Sequence, residues 1–435
     1  MTSLASLRRP WSAGLCLPLL AVVAMHGQAA DIEPNRKATV DPLLQPADTS
    51  RPFIDGSSLV LKPRSYYLNR DRDTNPDTAG WALGGQLAWQ SGWWKDSARL
   101  SASLYTSQKL YAPADKDGTQ LFQPGPEAIT VLGEANLTWR FTGNTGLRVG
   151  RQRLDLPYLG SHDIRMLPNT FEAAVVGNQS DSQLAWLSGY VDRIKRKNDD
   201  EFITMSEAAG DADANTGTVF AGARYKSDDL LAGAVFQRTR NVLDTLFVKT
   251  EGVLAESDDV RIKGYLQYTD QGENGNSAET FDSDLVATKL ELSHGNTTWK
   301  LAGSRTNGDT GIKKPFGNPA NYLSVIVEDF DRAEEDAWLA GISHDFGRRG
   351  PGTLSTFANI VSGDTPETGP NASADQREYD LTVDYRFREG PAERLWLRVR
   401  GAWVDQDDRF AGANDFFDFR IILNYDYDLL RGSSS

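Results

Sequence analysis

The sequence predicts an all-β fold: a transmembrane antiparallel β-barrel of eighteen strands, with short periplasmic turns and long extracellular loops. Three observations predict it. Apolar and polar residues alternate with period two in segment after segment, the connections between those segments switch between short and long, and no stretch is apolar for long enough to span a membrane as a helix.

The chain opens with a targeting signature. Arg8 and Arg9 precede an apolar run, Ala13 to Met25, and small residues Ala29 and Ala30 close it, which reads as a signal peptide over 1–30. Residues 31–56 read as a periplasmic lead-in, 57–430 as the barrel and 431–435 as a tail. The single cysteine, Cys16, falls in the signal, so the exported chain has no thiol for disulfides, zinc sites or nucleophilic catalysis. The formal net charge of -14 becomes more acidic once Arg8 and Arg9 are removed, which argues against nucleic acid as a partner.

Period two is clearest near the C-terminus. Phe417, Phe419, Ile421, Leu423, Tyr425, Tyr427 and Leu429 alternate with Asp418, Arg420, Ile422, Asn424, Asp426 and Asp428, giving one oily and one wet face. The same pattern marks strands at 57–70, 80–91, 98–109, 128–141, 147–153, 171–178, 183–195, 217–226 and 230–238. It continues at 244–254, 260–270, 284–293, 297–306, 337–346, 353–362, 378–389, 395–405 and 416–428. Short connections such as Gly295 with Asn296 alternate with long ones near 110–127, 154–170, 196–216, 271–283, 307–336 and 363–377. Aromatic residues gather at strand ends (Trp89, Trp93, Trp94; Trp139, Phe141; Phe416, Phe417, Phe419), where interfacial girdles belong. A soluble β-sandwich also alternates, but one this long would show breaks between domains.

With the odd face of the last strand against lipid, the inward faces of its neighbours carry Arg386, Arg388, Arg398, Arg400, Arg420, Lys62 and Arg64 as one basic wall. Arg140 and Arg151 are further inward candidates, together with Arg99, Arg224, Arg261 and Lys263, while acid collects in loops such as Asp329 to Asp336. Cations on a confined wall attract anions, so the expected solutes are small carboxylates handed from one arginine to the next. An open tube of this size would need a constriction. The segment Leu154 to Phe171 is the candidate, since it mixes Asp155, His162, Asp163 and Arg165 with Tyr158 and other apolar residues and is stiffened by two prolines.

Four stretches together resemble a known family: FIDGSSLVLKPRSYYLNRD (Phe53 to Asp71), LRVGRQRLDLPYLGSHDIRMLPNTFEA (Leu147 to Ala173), LDTLFVKTEGVLAESDDVRIKGYLQYTDQG (Leu243 to Gly272) and FRIILNYDYDLL (Phe419 to Leu430). In this order the chain resembles the outer membrane porin D (OprD) family, whose members facilitate uptake of specific small molecules in pseudomonads and related bacteria. The resemblance implies an eighteen-stranded barrel, monomeric or loosely trimeric, constricted by its third and seventh loops and lined by a basic ladder that conducts carboxylates. By strand count those loops are 154–170 and 307–336. Two departures stand out: Arg431 to Ser435 follow where such barrels usually end on an aromatic residue, and His162 and Asp163 do not align with the family's pore residues.

The expected location is therefore the outer membrane of a Gram-negative bacterium, with small solutes, outer-membrane lipid, lipopolysaccharide and the barrel-assembly machinery as partners and with no cofactor or metal. A neutral-solute (sugar or oligosaccharide) porin and a non-conducting adhesin or scaffold barrel remain open. An enzyme is disfavoured, since His162, His294 and His344 lie near no plausible nucleophile and no motif with catalytic spacing appears. A calcium site in the acidic loops competes with the simpler reading of a solvated acidic face.

Overall fold

The computed structural model describes residues 53–142, 144–178, 183–275 and 280–430. The proposed signal peptide, most of the lead-in and the tail lie outside the described residues. The strands are β1 (Ser58–Arg72), β2 (Thr78–Gln90), β3 (Ala98–Tyr111), β4 (Ile129–Arg140), β5 (Thr145–Gln152) and β6 (Thr170–Asn178). They continue as β7 (Leu184–Lys195), β8 (Thr218–Lys226), β9 (Leu230–Thr239), β10 (Leu243–Glu256), β11 (Val260–Gly272) and β12 (Asp282–His294). The last six are β13 (Thr297–Gly308), β14 (Asp336–Arg349), β15 (Gly352–Asp364), β16 (Gln376–Phe387), β17 (Trp396–Gln406) and β18 (Phe416–Asn424).

Each strand pairs antiparallel with the next, and β18 pairs with β1, setting Arg64 opposite Asn424 and Leu68 opposite Arg420. Short segments extend two strands: Phe202–Thr204 pairs with β7, and Tyr427–Asp428 carries the β18 edge on along β1. The result is the closed eighteen-stranded barrel the alternation predicts, with no free edge.

Closure explains the alternation. The outer wall exposes Leu83, Leu104, Leu137, Leu266, Leu290, Leu301, Ile342 and Leu381 as a continuous apolar band, which only lipid could cover. Aromatic residues flank the band. Trp94, Trp139, Phe141, Tyr225, Trp299 and Phe346 stand toward the short-turn end, and Trp81, Tyr190, Phe236, Tyr268, Trp338 and Trp403 toward the other. Trp93 is a correction, because it turns into the barrel and is buried.

The connections at the end opposite the chain termini include 112–128, 153–169, 196–217 and 309–335, but also the tight 73–77 and 240–242. Four of these loops fold inward rather than outward. Leu154, Leu156, Leu159 and Phe316 pack on Phe171, Leu187 and Phe220, while Ile312, Tyr322, Leu323 and Phe330 pack on Phe247, Leu285, Leu339 and Val361. Leu121, Phe122, Met166 and Leu167 pack on Tyr66, Leu68, Tyr105 and Val131, and Met205 and Ala208 join the first cluster. The loop half of the lumen is thus a packed apolar core, and the short-turn half is polar.

Candidate functional site

Loops 153–169 and 309–335 fold into the barrel, braced against each other and the wall. A two-residue hairpin pairs Asp155–Leu156 with Leu159–Gly160, and Leu159 bridges to Phe316. Tyr158 N donates to Asn318 O at 2.9 Å, Gly160 N to Phe316 O at 3.0 Å, and His162 N to Asn318 Oδ1 at 2.9 Å. The Tyr158 hydroxyl lies 2.9 Å from Thr269 Oγ1 across the lumen, and Asp155 accepts from Ser161 Oγ inside the hairpin. Tyr158 and His162 take left-handed backbone angles, φ 57° and 42°, an arrangement held only because both ends of the loop are pinned.

The far end of that loop is tied to β1. Arg64 Nη1 reaches Asp163 Oδ1 at 2.7 Å and the Arg165 carbonyl at 2.6 Å, and the Tyr66 hydroxyl donates to Ile164 O at 3.2 Å. Arg165 Nε in turn donates to Thr119 O at 3.0 Å, joining the 112–128 loop to the same plug. Although burial works against it, the Arg64 guanidinium holds the Asp163 carboxyl below its usual value. Burial, reinforced by Lys197, pulls His162 down to about 3, so this ring stays neutral and is not one of the pathway's charges.

Loop 309–335 is anchored by charge. Lys314 Nζ lies 2.5 Å from Asp331 and 3.1 Å from Asp329, and Arg332 holds Glu335 at 2.6 Å. The acidic run expected to face solvent is therefore partly internal, with Asp331 and Glu335 buried. Burial pushes the Asp331 carboxyl up, as does neighbouring Asp329, against the pull of Lys314. On the wall, Glu378 accepts from Val327 N at 2.9 Å and Glu328 N at 2.7 Å, and Arg420 Nη2 reaches Ile326 O at 3.2 Å.

The basic residues of β1 and β16 to β18 fall in rungs. Along the axis from the loop end come Arg70, then Arg420 beside Arg400, then Arg398, then Arg64 level with Arg386, then Lys62. Successive rungs are two residues apart, roughly 7 Å. The wall is not uniformly cationic, however. Asp418 holds both Arg420, at 2.5 Å, and Arg70, at 2.8 Å, and Asp384 holds Arg398 at 2.7 Å. Arg420 and Arg398 are almost fully buried, with side-chain exposures of 1% and 5%, and are structural as much as electrostatic. Arg400 differs: its Nε donates to Thr382 Oγ1 at 3.1 Å and its guanidinium lies 5.8 Å from the Phe357 ring, and it forms no direct ion pair among the described residues. Arg386 stacks on Trp396 at 4.7 Å, and Lys62 is exposed.

Two expected wall residues are corrected. Arg151 lies on the outer face: it pairs across to Ala135, its Nε meets Glu172 at 3.0 Å and its guanidinium covers Phe202 at 4.2 Å. It lies on the outward row of β5, where Glu172 and the Phe202 ring partner its guanidinium, so polarity alone does not mean inward. Neighbouring Gly150, at φ 113°, explains the weak alternation of β5, since a Cβ there would lie 2.3 Å from Ala135 O. Arg388 lies past the end of β16, exposed in the turn to β17.

The family model for the outer membrane porin, OprD family, matches residues 51–429. The chain belongs to the OprD family of outer-membrane porins. Porin D of Pseudomonas aeruginosa is 23% identical over 442 residues, covering 90% of this chain and 96% of that one. The porin-like protein GalP of Pseudomonas putida is 25% identical, covering 87% and 93%. Among solved structures, P. aeruginosa OpdK with vanillate superposes with a TM-score of 0.75 at 21% identity, over 86% of this chain and 100% of that one. A BenF-like porin from Pseudomonas fluorescens reaches 0.77 at 19%, over 87% and 100%. The protein is thus a Gram-negative outer-membrane porin of a family whose members take up small solutes.

The wall of this porin across from the basic rungs holds residues that alternation alone did not single out. Lys249 pairs with Glu251 at 2.9 Å and Lys289 with Glu291 at 2.6 Å. The Tyr265 hydroxyl donates to Glu291 at 2.6 Å, and the Lys289 ammonium lies 4.1 Å from the Tyr265 ring and 5.2 Å from that of Tyr322. The signal was present as Lys249/Glu251 and Lys289/Glu291, two i,i+2 pairs of opposite sign on the inward faces of β10 and β12, which flank β11.

Proposed function

We propose that this porin conducts small carboxylate-bearing solutes, amino acids included, by passive diffusion from the long-loop side to the periplasm. Arg400 carries the reading: it is a lumen-wall guanidinium flanked by rungs about 7 Å away and in no direct ion pair among the described residues. A carboxylate at Arg400 gains a charge-assisted contact without displacing an internal acid, and Arg386 and Lys62 offer the next stations. A relative solved with vanillate, itself a carboxylate, supports the same class. The loop plug narrows the tube, and no chemistry beyond binding and release is assigned to any residue; the family's channel membership supports a non-enzymatic role. The outer band accounts for lipid and lipopolysaccharide as neighbours, and a monomer or loose trimer suits a barrel closed on itself.

The test is uptake into liposomes carrying the purified full chain, with benzoate, acidic and neutral amino acids and glucose supplied in competition. Carboxylates should enter faster than glucose and compete with one another. Equal entry and competition by glucose would refute the substrate class. The neutral-solute reading has one observation in its favour, the internal neutralisation of Arg70, Arg398, Arg420 and Arg64 by Asp418, Asp384 and Asp163. It predicts that sugars outrun carboxylates.

A further inference from the structure

At the short-turn mouth, well away from the rungs, Trp93 is folded into the barrel and is 6% exposed. Two inward guanidiniums lie against its ring, Arg99 at 4.8 Å and Arg140 at 4.6 Å. Register places a third cation nearby: Arg99 pairs with Thr138, Thr138 with Arg148, and Arg148 Nε donates to Thr138 Oγ1 at 3.2 Å. Neither Arg99 nor Arg140 has a carboxylate within ion-pair distance among the described residues, and Arg99 Nε, Arg140 Nε and Arg140 Nη2 are buried donors without an acceptor. Glu134 is occupied by the Tyr105 hydroxyl, at 2.5 Å.

This patch is not the lower end of the wall already described. Lys62, the lowest rung, lies level with Gln86, and Gln86 with Tyr105, six residues up β3 from Arg99. That is roughly 20 Å along the strand. The lumen face between carries Gln86, Gln90, Ser101 and Ser103, which bond one another, and Glu134, whose carboxylate accepts from Gln86 Nε2 and from the Tyr105 hydroxyl. An indole face attracts each guanidinium but supplies no countercharge, so two cations sharing one ring keep donors and field for an anion.

We propose that Arg99 and Arg140, positioned by Trp93, form a second anion-binding station at the periplasmic mouth, taking the carboxylate of a departing solute or another small oxyanion such as phosphate. The station rests on the anion-conducting reading for its physiological ligand and on the local geometry for its existence. A solute leaving the Arg400 region would be held once more before release, which makes conduction depend on the side from which anions arrive.

The test is equilibrium titration of the purified full chain in detergent with acetate and, separately, inorganic phosphate, followed by tryptophan fluorescence. A saturable change is expected that disappears in Trp93→Phe, weakens at least tenfold in Arg140→Gln, is partly restored in Arg140→Lys and is untouched in Arg400→Gln. Acetate binding with phosphate inert assigns the station to solute carboxylates, and the reverse assigns it to inorganic anions. The heat-modifiable gel mobility of a closed barrel reports that each variant is folded. No saturable change in the wild type, or an equal change in Arg140→Gln and Trp93→Phe, overturns the proposal. The reversal potential of wild-type channels under a KCl gradient separates the two claims. Anion preference with no fluorescence change sinks only the station, whereas a fluorescence change with no anion preference sinks the conduction reading.

Discussion

Replacing Arg400 with glutamine removes a lumen cation that forms no direct ion pair among the described residues and keeps a side chain long enough to reach Thr382. A unit charge about 4 Å from a passing anion is worth about 1 kcal/mol in bulk water and about 4 kcal/mol where the effective dielectric is about 20. At the water-like limit, about 1 kcal/mol is about fivefold in local anion occupancy. Arg400→Glu reverses the sign and doubles the effect to about 2 kcal/mol, roughly thirtyfold. The assay is the zero-current potential of single channels under a KCl gradient. Both variants should move it toward cation preference, glutamate further than glutamine. An unchanged potential in Arg400→Glu, in a channel whose gel mobility and unitary conductance mark it as folded and open, would refute the claim that this side chain sets selectivity.

The other predictions separate structural from conducting charge. Arg420→Gln leaves Asp418 buried with Arg70 alone and should cost about 3 to 5 kcal/mol of barrel stability, seen as easier unfolding by heat in detergent, with a smaller effect on selectivity than Arg400→Gln. Tyr158→Phe loses the buried contact to Thr269, about 1 kcal/mol. Tyr158→Ala loses ring packing as well, about 3 to 5 kcal/mol, and should make loop 153–169 protease-sensitive and raise unitary conductance, whereas the phenylalanine variant should not. His162 is held at about 3 against an ordinary value of 6.5, so the folded loop binds fewer protons than a released one. Its contribution to docking is therefore constant above pH 6.5 and falls as pH drops from there toward 3. His162→Gln should leave conductance unchanged near neutrality and reduce the loss of loop docking at acid pH, measured by proteolysis across pH.

The cylinder was legible because lipid outside and water inside impose opposite preferences on successive side chains, and that period survives in the strand from Phe416 to Asn424 as in most others. It failed where an outward arginine finds a carboxylate and an aromatic ring on the outer face, at Arg151, and where the chain leaves the strand, at Arg388. Trp93 was misplaced among the girdle residues because a turn aromatic can enter the mouth as readily as the interface.

The sequence by itself determined the closed barrel, its strand number and its family, since each depends on local periodicity or on ordered motifs. Only the tertiary structure decided which of the wall arginines remain available to a solute. Asp163 meets Arg64 from a loop 99 residues away, and Asp418 neutralises Arg70 across the barrel's closing seam. Pairing of charges is a property of distance in space, and a confined lumen makes that distance the controlling variable.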